Sequence, residues 1–196
     1  MKYNLSEISA LIRDRRTIYP EQFSDRVIHK EILDQILSNA IWAPNHGMTQ
    51  PWRFKVFTGN GLHKLGTFMA DYYKTKTNHA NFDIDKYQKI QQRPGLAQAV
   101  IAICMKRQET EKIPEIEEIE AVACTVQNMY LTATAYGIGG YWGSGSPTYS
   151  EEMKQFLGLN DKDKCLGLFF LGYPIVEWPK SHRKPVEYVT EWIYEY

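Results

Sequence analysis

The sequence predicts an α+β protein, a three-layer α-β-α arrangement around a mixed, mainly antiparallel sheet. Three observations lead there. Ala99–Met105 (AVIAICM) and Cys165–Leu171 (CLGLFFL) are continuous apolar runs, suited to strands covered on both faces. Long segments before and between them carry apolar residues at helical spacing. A chain of 196 residues, 43% of them hydrophobic, can build one sizeable core, so the expectation is a single domain spanning 1–196.

The first helix starts near Asn4, where Asn4 and Glu7 resemble a capping box, and Leu5, Ile8, Leu11 and Ile12 form its apolar stripe. It ends in Arg13-Asp14-Arg15-Arg16. A second helix runs from about His29 to Trp42, with Ile32, Leu33, Ile36, Leu37 and Ala40 on one face, and Pro44 stops it. Trp52 to Thr58 alternates like a strand, and Gly59-Asn60-Gly61 turns the chain into a helix carrying Leu62, Leu65, Phe68 and Tyr72. Residues 74–96 are polar with few aliphatics and read as helix fragments and a mobile segment outside the core. Pro114 opens a long helix whose stripe is Ile119, Val122, Val126, Met129 and Ala133, closed at Gly137. Ile138–Trp142 reads as a strand and Glu151–Leu157 as a short helix. The tail, PVEYVTEWIYEY, alternates with period 2 and predicts an extended segment whose aromatic face needs cover, from its own sheet or from a partner's edge.

Lysine plus arginine equals aspartate plus glutamate, 23 against 23, which argues against nucleic acid and against an anionic membrane surface. No apolar stretch approaches a membrane span, and the N-terminus lacks the apolar core of a signal peptide, so a cytoplasmic protein is expected. Cys104, Cys124 and Cys165 are scattered and odd in number, which fits core thiols better than a disulfide framework or a metal site.

Four segments hold groups capable of chemistry. Arg15-Arg16-Thr17 can grip a phosphate through guanidiniums and a hydroxyl, or simply neutralise a helix C-terminus. The stretch IWAPNHGMTQPWRF crowds Asn45, His46 and Gln50 between Pro44 and Pro51, beside Trp42 and Trp52. Its proline-stiffened backbone can present hydrogen bonds to a ligand, or the side chains can satisfy their own loop. GIGGYWGSGS (137–146) lets backbone approach a ligand around Trp142, Gly143 and Ser144, or is a helix cap and a relaxed strand exit. It is neither GxGxxG nor a Walker A loop. PKSHRKP (179–185) offers Lys180 and Arg183 to a phosphate, or is a solvated basic turn. With no Ser-His-Asp order, no HExxH helix and no ligand cluster, an enzyme of this sequence would rely on a bound cofactor.

In order and spacing, these segments resemble the nitroreductase family of FMN-dependent NAD(P)H oxidoreductases, in particular its short YdjA-type branch. The resemblance rests on Arg15-Arg16-Thr17, Ala43-Pro44, Gln50-Pro51-Trp52, Gly137 to Ser144, and Arg183-Lys184-Pro185, and it covers nearly the whole chain. Met48, Tyr19 and Gly143 stand where other members carry Asn, Lys and Arg. The resemblance implies a nitroreductase-like fold and a homodimer with FMN at the interface. Arg15, Arg16 and Thr17, helped by Arg183, are then expected to hold the FMN phosphate and ribityl chain. Trp42, Asn45 and His46 would reach the flavin from the second subunit, with Gln50 anchoring that loop. Trp142, Gly143 and Ser144 would line the ring, and the aromatic tail would extend to the partner. No protein side chain is assigned as catalytic, because flavin N5 carries the chemistry.

The function so implied is ping-pong transfer of reducing equivalents from NAD(P)H to a small electron-poor acceptor such as a nitroaromatic or quinone. Two alternatives stand beside it: an FMN-binding or sensing homodimer with incidental reductase activity, and a structural dimer that has lost the cofactor.

Overall fold

A computed structural model describes residues 2–194 of the chain. Four strands form one antiparallel sheet in the order β1-β2-β4-β3: β1 (Trp52–Phe57), β2 (Ala99–Met105), β3 (Gly139–Gly143) and β4 (Lys164–Gly172). The apolar runs supply the two central strands. All of β2 is buried, and its residues divide by parity. Ala99, Ile101, Ile103 and Met105 face one core with α2 (Lys30–Ala40) and α5 (Glu115–Ala135). Val100, Ala102 and Cys104 face another with α3 (Asn60–Lys76) and α6 (Glu151–Leu157). Helices therefore cover both faces of the sheet, giving the expected three layers.

A bulge in β4 opposite Ile103 and Cys104 adds one residue, so Cys165 and Leu168, three apart, both enter the α3/α6 core. The expected mixed sheet is refined: every strand pair is antiparallel, and the parallel component is the isolated bridge between Thr17 and Gly140. That bridge matters for the site. After α1 (Leu5–Asp14), the chain runs beside β3, and the Ile18 amide donates to the Gly140 carbonyl at 3.0 Å. A Cβ on Gly139 would lie 2.7 Å from that of Ile18, and one on Gly140 would lie 2.8 Å from the Phe169 ring. The consecutive glycines let a chain segment and an aromatic ring close on one strand.

Two expectations change. Residues 74–96 form regular structure: α3 continues to Lys76, and α4 (Ile84–Gln92) follows, capped by the Asp83 carboxylate. The segment's sparse apolar content is aromatic and local, with Phe82 stacked on Tyr73 and the Tyr87 hydroxyl donating to Asp71 at 2.8 Å. A polar stretch can thus dock on α3 without entering the core. The tail does not join the sheet within this chain. Among its described residues it forms one short 3₁₀ turn, Val186–Tyr188, and Val189, Trp192, Ile193 and Tyr194 lie exposed. Glu195 and Tyr196 lie outside the described residues. Period-2 patterning marks a face in need of cover, and one chain leaves that cover unmade.

At Gly66, a Cβ would sit 2.0 Å from the Gln91 carbonyl oxygen, so α4 closes on α3 only because this residue has no side chain. Gly66→Ala should lower stability in urea denaturation by about 2 kcal/mol, after allowing for its better helix propensity. Gly61→Ala in the same helix, where nothing lies nearer than 3.7 Å, should be neutral or stabilising. Equal stability of the two variants would contradict the close packing of α4.

Candidate functional site

The site grows from the end of α1. Arg15 caps the helix, its amide donating to the Leu11 carbonyl at 3.1 Å, and its guanidinium lies 5.0 Å from the centre of the Tyr130 ring. Tyr130, on α5, packs edge-on against Phe169, and its hydroxyl accepts the Trp142 amide at 3.0 Å. One aromatic side chain therefore joins the arginine segment, the long helix and β3. It sits four residues beyond Val126 on the same stripe, a spacing that marks it as a core residue and conceals this second role. The Trp142 amide is thus already bonded. The Trp142 indole lies so close over Gly167 that a Cβ there would be 2.1 Å from Nε1, a buried group without a partner. Gly143 is buried and Ser144 exposed at the strand's end.

Arg16 takes a different environment. Its Nη1 donates to the carbonyls of Arg13 and Arg15, while its Nε is buried with no acceptor. No carboxylate pairs with it among the described residues. Burying part of a guanidinium without a counter-charge is costly, and an anion offsets that cost. Two clefts meet at Arg16. One, of about 520 Å³, also has Arg13, Ser181, His182 and Arg183 in its wall. The other, of about 630 Å³, has Trp178, Lys180 and Ser181. Asp14 borders both. The Trp178 indole donates to the Asp14 carbonyl, pinning the basic loop to α1, and Arg183 donates to the Ser181 hydroxyl at 2.9 Å. The chain thus brings Arg16 and Arg183, far apart in sequence, to one cleft.

The loop before β1 lies elsewhere. Trp42 is 84% exposed, beside Asn128, Leu131 and Thr132 of α5. The Asn45 carboxamide oxygen accepts the Gln50 amide at 3.0 Å, and His46 Nδ1 meets the Glu117 carboxylate at 2.6 Å. Met48 and Gln50 hold positive φ of 53° and 44°, in the left-handed region, and these contacts brace that backbone. Glu117 and Tyr130 lie about 20 Å apart along α5 at 1.5 Å per residue. Within one chain, Arg15 and Trp142 meet at Tyr130, Thr17 bridges Gly140, and Arg16 shares a cleft with Arg183, while Gly143 and Ser144 continue along β3 away from that bridge. Asn45, His46 and Gln50 sit towards the start of α5, and Trp42 faces outward from its flank.

Two further groups carry no sequence signal. Arg93 donates to the Glu21 carboxylate at 2.7 Å, and its guanidinium lies 5.0 Å from the Tyr141 ring centre, beside Trp142. Glu118, buried on α5, pairs with Arg107 and accepts the Gln108 amide at 3.3 Å, tying the loop after β2 to the helix. In sequence it is one glutamate among the many of EIEEIE.

An antiparallel sheet between helical layers, edged by a guanidinium-rich cleft, defines an α+β protein equipped to hold an anionic ligand. The chain belongs to the nitroreductase family, whose profile matches residues 12–173. It is 31% identical over 155 residues to the Escherichia coli K12 protein named "Putative NAD(P)H nitroreductase YdjA", covering 79% of this chain and 82% of that one. The crystal structure of a nitroreductase-like family protein from Bacillus cereus superposes with a TM-score of 0.79 at 26% identity, over 98% of both chains. The FMN-dependent nitroreductase NfnB of Mycobacterium smegmatis, solved with NADPH, shares the fold at a TM-score of 0.76 and 18% identity, over 97% of this chain and 100% of that one.

The Glu21–Arg93 contact has a pH signature. The Arg93 hydrogen bond holds the Glu21 carboxyl below its ordinary value. A depressed acid contributes stability above its unfolded pKa and loses that contribution as pH falls through the lower, folded value. Both partners are partly exposed, so the contribution is under about 1 kcal/mol. Glu21→Gln should lower stability slightly near pH 7 and converge with the parent protein in strong acid, read by urea midpoints across pH. An unchanged difference at all pH values would contradict the ion pair.

Proposed function

We propose that this chain is an FMN-dependent NAD(P)H oxidoreductase acting as a homodimer, with the whole chain, 1–196, as one domain. The observation that carries the reading is the half-buried Arg16, whose Nε is buried and unpartnered, at the junction of two clefts that also present Arg13, Lys180 and Arg183. That donor set fits a phosphate dianion, because guanidiniums bind phosphate through several charge-assisted hydrogen bonds at once. Arg16 and Arg183 would hold the phosphate, and Arg15 and Thr17 the chain leading from it. Trp142, Gly143 and Ser144 would border the ring, with Ser144 as the exposed polar group. When bound, FMN supplies the two-electron carrier between NAD(P)H and an electron-poor acceptor such as a nitroaromatic or quinone. The two substrates would take turns on one face, in ping-pong order. The protein's part is to bind, to orient and to keep water out.

The distance along α5 supports a site built by two chains. Asn45, His46 and Gln50 lie too far along α5 from Arg16's end to share a ligand with it, Trp42 lies level with Tyr130 but on an outward flank, and a two-fold axis across α5 would bring one protomer's loop to its partner's arginines. Trp42, exposed with Ile41 and Met48, is placed for such a contact. The open outer edge of β1 and the uncovered aromatic tail likewise suit exchange between subunits. No helix among the described residues is long and apolar enough to cross a membrane, and a cytoplasmic location is part of the proposal.

Arg16→Ala should weaken FMN binding by about 2–5 kcal/mol, the range for losing one partner of a desolvated charge pair. Fluorescence titration of apoprotein with FMN measures it, and circular dichroism checks that the variant folds. An unchanged dissociation constant would refute the phosphate role. A parent protein that stays colourless with added FMN would refute the flavin reading altogether. Steady-state oxidation of NADPH with menadione or a nitrofuran separates a reductase from a flavin sensor, which would reduce its flavin without turning over an acceptor.

A further inference from the structure

Beyond the Arg16 clefts, a small cleft of about 260 Å³ lies where β1 begins and β2 ends, with Thr49, Arg53, Lys106, Arg107, Gln108 and Thr110 in its wall. Its chemistry is one-sided. Glu109 is the single carboxylate residue bordering it, against three cations. Arg107 is already neutralised by buried Glu118. Arg53 uses only Nη1, donating to the carbonyls of Gln50 at 3.0 Å and Trp52 at 2.6 Å, and Lys106 has no ion-pair partner among the described residues. The Gln108 carboxamide oxygen accepts the Thr110 hydroxyl at 2.8 Å, which leaves its Nε2 as a buried donor with no acceptor. Buried donors without acceptors are rare in folded proteins and mark a place where an acceptor belongs. Two uncompensated cations beside such a donor make that acceptor an oxyanion.

We propose that this cleft is a phosphate subsite and that its ligand is the 2′-phosphate of NADPH, which makes the chain prefer NADPH to NADH. The inference rests on the reductase reading above. Thr49 belongs to the Pro44–Pro51 loop that would form the partner's wall of the flavin site, so the cleft opens beside that wall. A dinucleotide with its nicotinamide at the flavin carries its adenosine end out to the rim of the site, where a second anion-binding group distinguishes the two coenzymes. Lys106 is the residue to change. Its backbone amide, which donates to the Pro51 carbonyl at 2.7 Å, is unaffected by a side-chain substitution.

The test is calorimetric titration of the FMN-loaded protein with adenosine 2′,5′-bisphosphate, 5′-AMP and inorganic phosphate, for the parent protein and for Lys106→Gln. The bisphosphate should bind at least about tenfold more tightly than 5′-AMP, the size of one charge-assisted hydrogen bond. Lys106→Gln should abolish most of that margin and lower the ratio of kcat/KM for NADPH to that for NADH by a similar factor. Equal binding of the two nucleotides to the parent protein would overturn the proposal. So would saturable inorganic phosphate binding, lost in Lys106→Gln, that does not compete with the bisphosphate: it would identify an anion site unconnected with the coenzyme. Flavin absorbance of the same samples separates the two levels. A yellow protein that does not discriminate fails this inference alone, whereas one that cannot be loaded with FMN fails the reductase reading.

Discussion

The site depends on the docking of one short segment, Arg15 to Ile18, along the free edge of β3. A single amide-to-carbonyl bond at 3.0 Å and two glycines without side chains make that approach possible. From it follow the placement of Arg15 over Tyr130, the burial of the Arg16 Nε and the side-by-side course of Thr17 and the glycine-rich strand. Ile18, fully buried, anchors the segment in the α3/α6 core. The backbone that carries the arginines is therefore held by packing and one hydrogen bond.

The molecule treats two guanidiniums drawn in from solvent in different ways. Arg107 is matched to Glu118, and their pairing ties a loop to α5. Arg16 has only carbonyls and a vacant Nε. A charge matched within the chain has structural work to do, and one left unmatched in a cleft calls for an outside anion. The same comparison distinguishes His46, already paired with Glu117, from Trp42, which has no comparable partner and lies open to solvent.

Much of the fold was legible because burial leaves period and run length in the sequence. The runs of β2 and β4, the stripes of α2 and α5 and the proline and glycine boundaries all fall within a few residues of expectation. In segment 74–96 the helix fragments outside the core were legible, but their order was not, because α4 docks through scattered aromatics and a glycine on its neighbour, which no periodicity records. The tail's alternation revealed an apolar face but not what covers it. At the site, the residue types in Arg15-Arg16-Thr17 and in the glycine-rich strand were readable as chemistry. Arg183 was expected beside the arginine segment, and the Trp178 indole that pins its loop to α1 was not. Tyr130, Glu118 and Arg93 stayed hidden for a related reason: a tyrosine on a core stripe, a glutamate in an acidic run and an arginine in a polar segment look ordinary until their partners are known.

The central claim is that one ligand is held by arginines of one chain and by the Pro44–Pro51 loop of another. Subunit mixing tests it most directly. Arg16→Ala chains and chains with both Trp42 and His46 changed to alanine are each folded, then unfolded and refolded together. Each mixed dimer would carry one doubly damaged site and one intact site. The account predicts one tight FMN site per mixed dimer where neither parent variant has any. Mixed dimers that bind FMN no better than the parent variants would contradict it.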